Sequence, residues 1–210
     1  ELYRKTIGII GFGRIGQLVA RRAAAFEMDV VAFDKFVSAE RFRELGVEGA
    51  ESVEDLLGRA DIVTLHVPKT PETVNLIDAE AIAVMRDGAR IINCARGELV
   101  DLDAVLAGLE SGKLAGAALD VFPSEPFTEH PIFAREDVVV TPHLGASTAE
   151  AQDRAGVVTA EQVTAALNGG VVTNAVNIAA VRPEAMEALA PFVPLCEKLG
   201  RLAQGLGDGS

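Results

Sequence analysis

Three polar residues with complementary chemistry follow apolar runs in the chain: Arg96 in NCARG, Glu125 in VFPSEP and His143 in VVVTPHLGAS. A histidine paired with a carboxylate can exchange a proton with a substrate hydroxyl, because the negative charge favours the protonated ring. An arginine can hold a substrate carboxylate through two parallel hydrogen bonds. Each residue alone also has a non-catalytic explanation. Arg96 could form a surface salt bridge, Glu125 could be a solvated loop carboxylate and His143 could cap the end of a strand. The catalytic hypothesis therefore requires a fold that brings the three together.

A glycine-rich stretch, GFGRIG, follows the first apolar run and precedes a segment of helical period. It matches G-x-G-x-x-G, in which Gly11 allows a tight turn, Gly13 lets the backbone approach a pyrophosphate and Gly16 lets helix and strand pack closely. Asp34 ends the next apolar run, where a carboxylate can bind both hydroxyls of an adenosine ribose and repel a 2′-phosphate. We therefore predict NAD rather than NADP as the cofactor, with Lys35 beside Asp34 as the residue that could weaken this discrimination.

The whole stretch from Thr6 to Thr141 alternates short β-branched or apolar runs with segments of helical period. This pattern predicts an α/β fold with a doubly wound parallel sheet of the Rossmann type. The predicted strands are 6–10, 29–33, 61–65, 89–93, 116–120 and 138–141. The predicted helices are 14–26, 52–57, 79–85, 102–111 and 147–168, with Ser52 and Asp55 as a capping box and Asp101 as a second cap. Ligands of such sheets bind at the carboxyl ends of the strands, which is where the polar residues fall.

The domain organisation follows from changes in pattern. We expect a dinucleotide-binding domain over residues 1–146, a long connecting helix over 147–170 and the start of a second, truncated domain over 171–210. In the last part, VVTNAVNIAAV is predicted to be extended. Residues 183–204 predict one or two amphipathic helices interrupted by Pro191 and Pro194.

Composition excludes several classes of function. A formal net charge of −12 and the lack of a Lys/Arg stripe argue against nucleic acid as a partner. No apolar run approaches the roughly 18 to 20 residues that span a bilayer, so we expect a soluble protein with no membrane partner. Cys94 and Cys196 fit neither a metal-binding spacing nor a disulfide framework, which predicts no metal site and a reducing, cytoplasmic location.

The ordered motifs GFGRIG, LHVPKTPET, INCARGELVD, GAALDVFPSEP and TPHLGASTAEAQ resemble the D-isomer specific 2-hydroxyacid dehydrogenase family over about residues 2–170. Within the family, NCARG, LAGAALDVF and PHLGASTAEAQ are most similar to the long-form, phosphoglycerate-oxidising members of serine synthesis. The resemblance implies an NAD-dependent oxidoreductase acting on a small 2-hydroxy acid, with 3-phosphoglycerate as the expected substrate. A homodimer or homotetramer is expected.

The same resemblance assigns roles to single residues. It implies Arg96 as carboxylate anchor, Glu125 and His143 as an acid-paired proton relay, and Asp34 as ribose ligand. Further cofactor contacts are implied from the residues beside the glycines, near the nicotinamide and in the last loop; these are Arg14, Ile15, Cys94, Ala95, Arg96, Asp120, His143, Gly145 and Ala146. We interpret His66 as structural and His130 as a solvated loop residue.

One part of the family pattern is not found in this sequence. Members carry most of their substrate domain ahead of the first nucleotide-binding strand, and this chain begins at that strand. We therefore expect a fragment that binds NAD(H) but has little or no dehydrogenase activity alone. Two alternatives stay open, a dehydrogenase for another D-2-hydroxy acid and an NAD(H)-binding module without turnover.

Overall fold

The structure is a computed structural model that describes residues 1–168, 170, 172, 174–175 and 189–206. The chain separates into two compact units, residues 1–145 and residues 146–210. The first unit holds the whole sheet, and the regular elements among the described residues of the second are helices. The domain boundaries at residues 146 and 170 stay predictions.

The described residues of the first unit form one parallel sheet of seven strands, in the order β3-β2-β1-β4-β5-β6-β7. From β1 the chain winds outward to β3, then returns to the other side of β1 and winds outward again to β7, which confirms the doubly wound α/β fold. The strands are β1 (Thr6–Ile10), β2 (Asp29–Phe33), β3 (Glu48–Gly49), β4 (Ile62–Leu65), β5 (Ala89–Asn93), β6 (Leu114–Leu119) and β7 (Val138–Val140).

Helices connect the strands, and short polar side chains begin several of them. Ser52 accepts a hydrogen bond from the Asp55 N–H at 3.1 Å, and Asp101 accepts from the N–H groups of Asp103 and Ala104, as predicted for both caps. The Asp55 carboxylate, however, accepts from the Glu51 N–H rather than that of Ser52, so the predicted capping box forms only in part. The helices are α1 (Arg14–Ala25), α2 (Ala39–Glu44), α3 (Val53–Arg59), α4 (Ala79–Val84), α5 (Leu102–Glu110), α6 (Ala149–Leu167) and α7 (Val193–Leu206).

Two apolar clusters cover the two faces of the sheet. Ile9 of β1 packs with Ala20 of α1 in one cluster, whereas its neighbour Ile10 belongs to the other cluster with Leu56 of α3. Successive side chains of a strand point to opposite faces, so β1 contributes to both clusters. A strand buried on both faces needs an unbroken apolar run, which is why TIGII was readable as a central strand.

The structure corrects several predicted boundaries. The sheet has a seventh strand, β3, that the sequence analysis missed, because two residues of an edge strand carry no periodic signal. Helix α2 was also missed, since Phe42 is its one buried residue. Strand β6 begins at Leu114, two residues earlier than predicted, and β4, β6 and β7 do not include the predicted end residues Asp61, Asp120 and Thr141.

The second unit begins with helix α6, capped by the Thr148 hydroxyl, which accepts from the Ala151 N–H. The extended segment predicted after residue 170 and the start of the last predicted helical region lie largely outside the described residues. Pro194 was expected to interrupt a helix, but it lies in the first turn of α7, where its missing N–H is not needed. Among the described residues, no helix has the length and apolar character needed to cross a membrane.

Candidate active site

The predicted site residues lie along one edge of the sheet. All seven strands run parallel, so their carboxyl ends meet at the same edge. Residues that the sequence analysis names follow six of the strands at this edge. They are Gly11 after β1, Asp34 after β2, His66 after β4, Arg96 after β5, Asp120 after β6 and His143 after β7. Residues as far apart in the sequence as Gly11 and His143 are thereby brought to one edge of the sheet.

The glycine-rich turn joins β1 to α1 in the form that binding of a pyrophosphate requires. Gly11 has φ +94°, and a Cβ on Gly16 would lie 2.2 Å from the carbonyl oxygen of Gly11. Gly13 is the N-cap of α1, and a Cβ there would meet no protein atom within 4 Å. Arg14 and Ile15 are exposed at the start of α1. The turn therefore presents open space at the N-terminus of a twelve-residue helix, which fits an anionic group.

The Asp34 carboxylate is held in place beside this turn. One oxygen accepts from the Phe12 N–H at 2.8 Å, and the other accepts from the Phe36 N–H at 2.9 Å. A carboxylate has about four acceptor positions, so each oxygen retains capacity for a further donor. This orientation fits the predicted binding of the two ribose hydroxyls.

A cavity of about 420 Å³ adjoins the turn. Its walls include Gly11, Gly13, Asp34, Lys35 and His66. Burial lowers the pKa of His66, and its Nε2 lies 3.1 Å from the Thr64 hydroxyl. His66 is thus a neutral wall residue, which agrees with its structural interpretation.

Glu125 and His143 are brought together although they are 18 positions apart in the sequence. The Nδ1 atom of His143 and the Oε2 atom of Glu125 are 2.7 Å apart. The hydrogen bond from His143, and then that from the Phe122 N–H, holds the pKa of the Glu125 carboxyl below its ordinary range. Both side chains are partly exposed, and both line a second cavity of about 410 Å³. An ionised carboxylate accepts only, so Nδ1 is the donor in this pair.

The loop that carries His143 is held by Asp120, which is 4% exposed. The Asp120 carboxylate accepts from the Thr141 hydroxyl and from the N–H groups of Leu144 and Gly145, and its carbonyl accepts from the His143 N–H. His143 has φ +56°, a left-handed conformation that costs free energy in a residue with a Cβ. The bonds to Asp120 surround the strained residue on both sides and hold it in place. The sequence predicts only a cofactor contact for Asp120 and does not predict this positioning role.

Replacement of Asp120 by Asn tests this positioning. Burial raises the pKa of the Asp120 carboxyl, but the hydrogen bonds from Thr141, Leu144 and Gly145 outweigh burial and lower it. The variant is expected to lose about 1–3 kcal/mol of unfolding free energy at pH 7, because an amide cannot satisfy all three donors. The pKa of the Asp120 carboxyl is thus lower in the folded protein than in the unfolded chain, where it is about 3.9. The ionised carboxylate therefore stabilises the fold above the unfolded pKa, and this stabilisation is lost as the pH falls through the folded pKa.

The measurement is urea unfolding of both proteins at pH 7 and again at a pH below about 4. The difference between wild type and Asp120→Asn should shrink at the lower pH. Asp87→Asn is the control, because Asp87 makes an exposed ion pair with Lys113 whose loss costs little. A difference that stays constant with pH would contradict an ionised Asp120 in the loop.

Arg96 follows β5 in a turn fixed by Asn93. The buried Asn93 side chain donates to the Arg96 carbonyl at 2.9 Å and accepts from the Ala95 N–H at 3.0 Å. A Cβ on Gly97 would lie 1.9 Å from the carbonyl carbon of Phe122, so the turn is pressed against the segment that leads to Glu125. The Arg96 guanidinium is exposed and donates to the Ala95 carbonyl. Asn93 was not among the predicted site residues, although an Asn at a strand end is a turn signal.

The remaining predicted residues differ in their surroundings. Cys94 is accessible to solvent, yet partial burial, followed by the charge of Asp120, raises the pKa of its thiol. Ala146 is the first residue of the second unit, and its cofactor contact stays a prediction. His130 was expected to be solvated, and this is wrong. Its side chain is 13% exposed, its Nδ1 accepts from the Ile132 N–H at 3.2 Å, and its Nε2 lies 3.3 Å from Asp103.

Comparison with known proteins decides the family. Residues 1–145 match the NAD binding domain of the D-isomer specific 2-hydroxyacid dehydrogenases. The chain belongs to this family. NAD is therefore the cofactor of the domain, and small 2-hydroxy acids are the substrate class of the family.

Named relatives agree with this assignment. The chain is 52% identical over 208 residues to a D-3-phosphoglycerate dehydrogenase of Mycobacterium tuberculosis, covering 99% of this chain and 39% of the relative. It is 45% identical to the enzyme of the same name from Methanocaldococcus jannaschii, covering 100% of this chain and 40% of the relative. A D-lactate dehydrogenase from Aquifex aeolicus, solved with NAD and lactic acid, has a TM-score of 0.72 at 36% identity and covers 80% of this chain and 55% of that structure. The chain spans about two fifths of the length of these curated relatives.

Proposed function

We propose that this chain is the cofactor-binding part of an NAD-dependent dehydrogenase that oxidises D-3-phosphoglycerate to 3-phosphohydroxypyruvate. The observation that carries the proposal is the 2.7 Å contact between His143 and Glu125 on the sheet edge that also holds the glycine turn and Asp34. An NAD-binding module without turnover has no need of an acid-paired histidine on the same sheet edge as Arg96. The relatives named D-3-phosphoglycerate dehydrogenase support the choice of substrate.

The cofactor residues act through position and charge. The N–H groups of Arg14 and Ile15, at the start of α1, would hold the pyrophosphate, and Gly13 leaves room for it. Asp34 would accept hydrogen bonds from the ribose hydroxyls. Cys94, Ala95 and the loop of His143 and Gly145 would border the nicotinamide. NAD, when bound, supplies the hydride acceptor.

The catalytic residues move one proton and hold one carboxylate. Glu125 keeps the proton of His143 on Nδ1, so Nε2 is the atom that removes the proton from the substrate hydroxyl. The charge of Glu125 then stabilises the resulting imidazolium, as an orienting acid does in other histidine relays. Arg96 would bind the substrate carboxylate through two parallel hydrogen bonds after its guanidinium leaves the Ala95 carbonyl.

NADH fluorescence and turnover, measured together, test the proposal. The 210-residue chain should bind NADH saturably and reduce 3-phosphohydroxypyruvate slowly or not at all. A fusion that places the upstream part of the Mycobacterium tuberculosis relative ahead of Glu1 should gain turnover. Absence of NADH binding would reject the proposal, and faster reduction of another 2-keto acid would reject the substrate. Binding without turnover in a folded fusion would favour the non-catalytic module.

Two further expectations stay predictions. These are the homodimer or homotetramer and the cytoplasmic location. Exposed apolar side chains of α7, among them Leu195, Leu199 and Leu202, support self-association.

A further inference from the structure

An ion pair between Lys35 and Glu72 lies in the wall of the cavity beside the glycine-rich turn. Lys35 follows Asp34 at the end of β2, and Glu72 lies in the turn after β4. The Lys35 Nζ and Glu72 Oε2 atoms are 2.6 Å apart, and both residues line the cavity that Gly13 and Asp34 also line. The Lys35 ammonium also lies 5.1 Å from the centroid of the Phe36 ring. The Lys35 ammonium therefore contacts both Glu72 and the Phe36 ring in the loop that follows Asp34.

The pair decides the balance of charge near the expected ribose. The hydrogen bond from Lys35, followed by its charge, lowers the pKa of the Glu72 carboxyl, so Glu72 is ionised at neutral pH. Asp34 and Glu72 together outweigh the one ammonium of Lys35. A ribose hydroxyl can donate to a carboxylate, whereas a 2′-phosphate requires a cation that is not already neutralised.

We propose that Glu72 enforces the preference for NAD(H) over NADP(H) by engaging the Lys35 ammonium, which would otherwise bind a 2′-phosphate. The inference rests on the proposed placement of the adenosine ribose at Asp34. Asp34 repels the phosphate, and Glu72 removes the cation that would offset this repulsion. Cofactor selectivity thus depends on a residue 38 positions away from Asp34, on a different loop.

A purely structural role of the ion pair makes a different prediction. If the pair only joined the two loops, its loss would weaken NADH and NADPH binding to the same extent. The ratio of the two dissociation constants would then be unchanged. Selectivity is therefore measured as the Kd for NADPH divided by the Kd for NADH.

The experiment uses the 210-residue chain and titrates NADH and NADPH by fluorescence at low salt, since the pair is exposed and screened by ions. Glu72→Gln should lower the ratio by roughly fivefold to tenfold, because it frees one ammonium for a charge-assisted hydrogen bond. The double variant Lys35→Ala, Glu72→Gln should return the ratio to near the wild-type value. Glu98→Gln is the matched control, since Glu98 pairs with Lys69 at the same 2.6 Å and neither residue lines this cavity.

The outcomes separate the two proposals. An unchanged ratio in Glu72→Gln, with NADH still bound, would overturn this inference and leave the proposed function standing. A gain that persists in the double variant would also overturn it, because Lys35 would then not be the phosphate ligand. Failure of the wild-type chain to bind NADH would overturn the proposed function and this inference together.

Discussion

Replacement of His143 by Asn is expected to lower kcat by about a hundredfold to ten-thousandfold, the usual contribution of a positioned acid or base. Asn is the appropriate substitute because it tolerates the left-handed conformation that His143 adopts at φ +56°. The hydrogen bonds from the loop to Asp120 use backbone and Thr141 groups that the substitution does not remove. NADH affinity should therefore be nearly retained while proton transfer is lost.

The measurement is steady-state reduction of 3-phosphohydroxypyruvate by the active fusion, with NADH binding measured on the same samples. His130→Asn is the matched control, because His130 caps a short 3-10 helix at residues 131–134, a role that Asn can also perform. Glu125→Gln should show a smaller loss, since the ring keeps a hydrogen-bond acceptor at position 125 but loses its ionic partner. Wild-type kcat in His143→Asn would exclude the proton relay.

The sheet was predictable because each central strand must be apolar on both faces. β1, β2 and β5 have the predicted bounds, and Gly11 and Asp34 follow β1 and β2 as the fingerprint requires. The parallel topology then placed Arg96 and His143 at the same edge as the glycine turn. The edge strand β3 was not predicted, because it is two residues long and exposed and so carries no apolar run.

Side-chain pairing was less predictable than strand position. The proximity of Glu125 to His143 could be proposed from chemistry but not demonstrated, because it depends on how two loops fold back on each other. Lys35 was recognised as a residue that could weaken the preference for NAD over NADP, but its partner Glu72 was not. The two residues lie in loops after different strands, and nothing in the sequence indicates that these loops meet. Asp120 was assigned to the cofactor, whereas its carboxylate contacts the loop of His143. Contacts between loops depend on the three-dimensional path of the chain, which periodicity does not encode.

Replacement of Gly13 by Val is expected to lower NADH affinity on the order of a hundredfold or more, by steric exclusion of the pyrophosphate and loss of its charge-assisted hydrogen bonds. The backbone at Gly13 has φ −72° and ψ −159°, an extended conformation open to Val. A Cβ there meets no protein atom within 4 Å, so the fold should be retained with a nearly unchanged melting temperature. NADH titration and thermal unfolding of the same sample measure both effects.

Gly13→Ala and Gly16→Ala make the comparison quantitative. Alanine at position 13 should cause a smaller loss of NADH affinity than valine, because it occupies less of the space left for the pyrophosphate. Alanine at position 16 should instead lower the melting temperature, since its Cβ would lie 2.2 Å from the Gly11 carbonyl oxygen and the turn must move. If Gly13→Val bound NADH as tightly as wild type, the pyrophosphate could not lie against Gly13, and the cofactor placement argued from the start of α1 would be wrong.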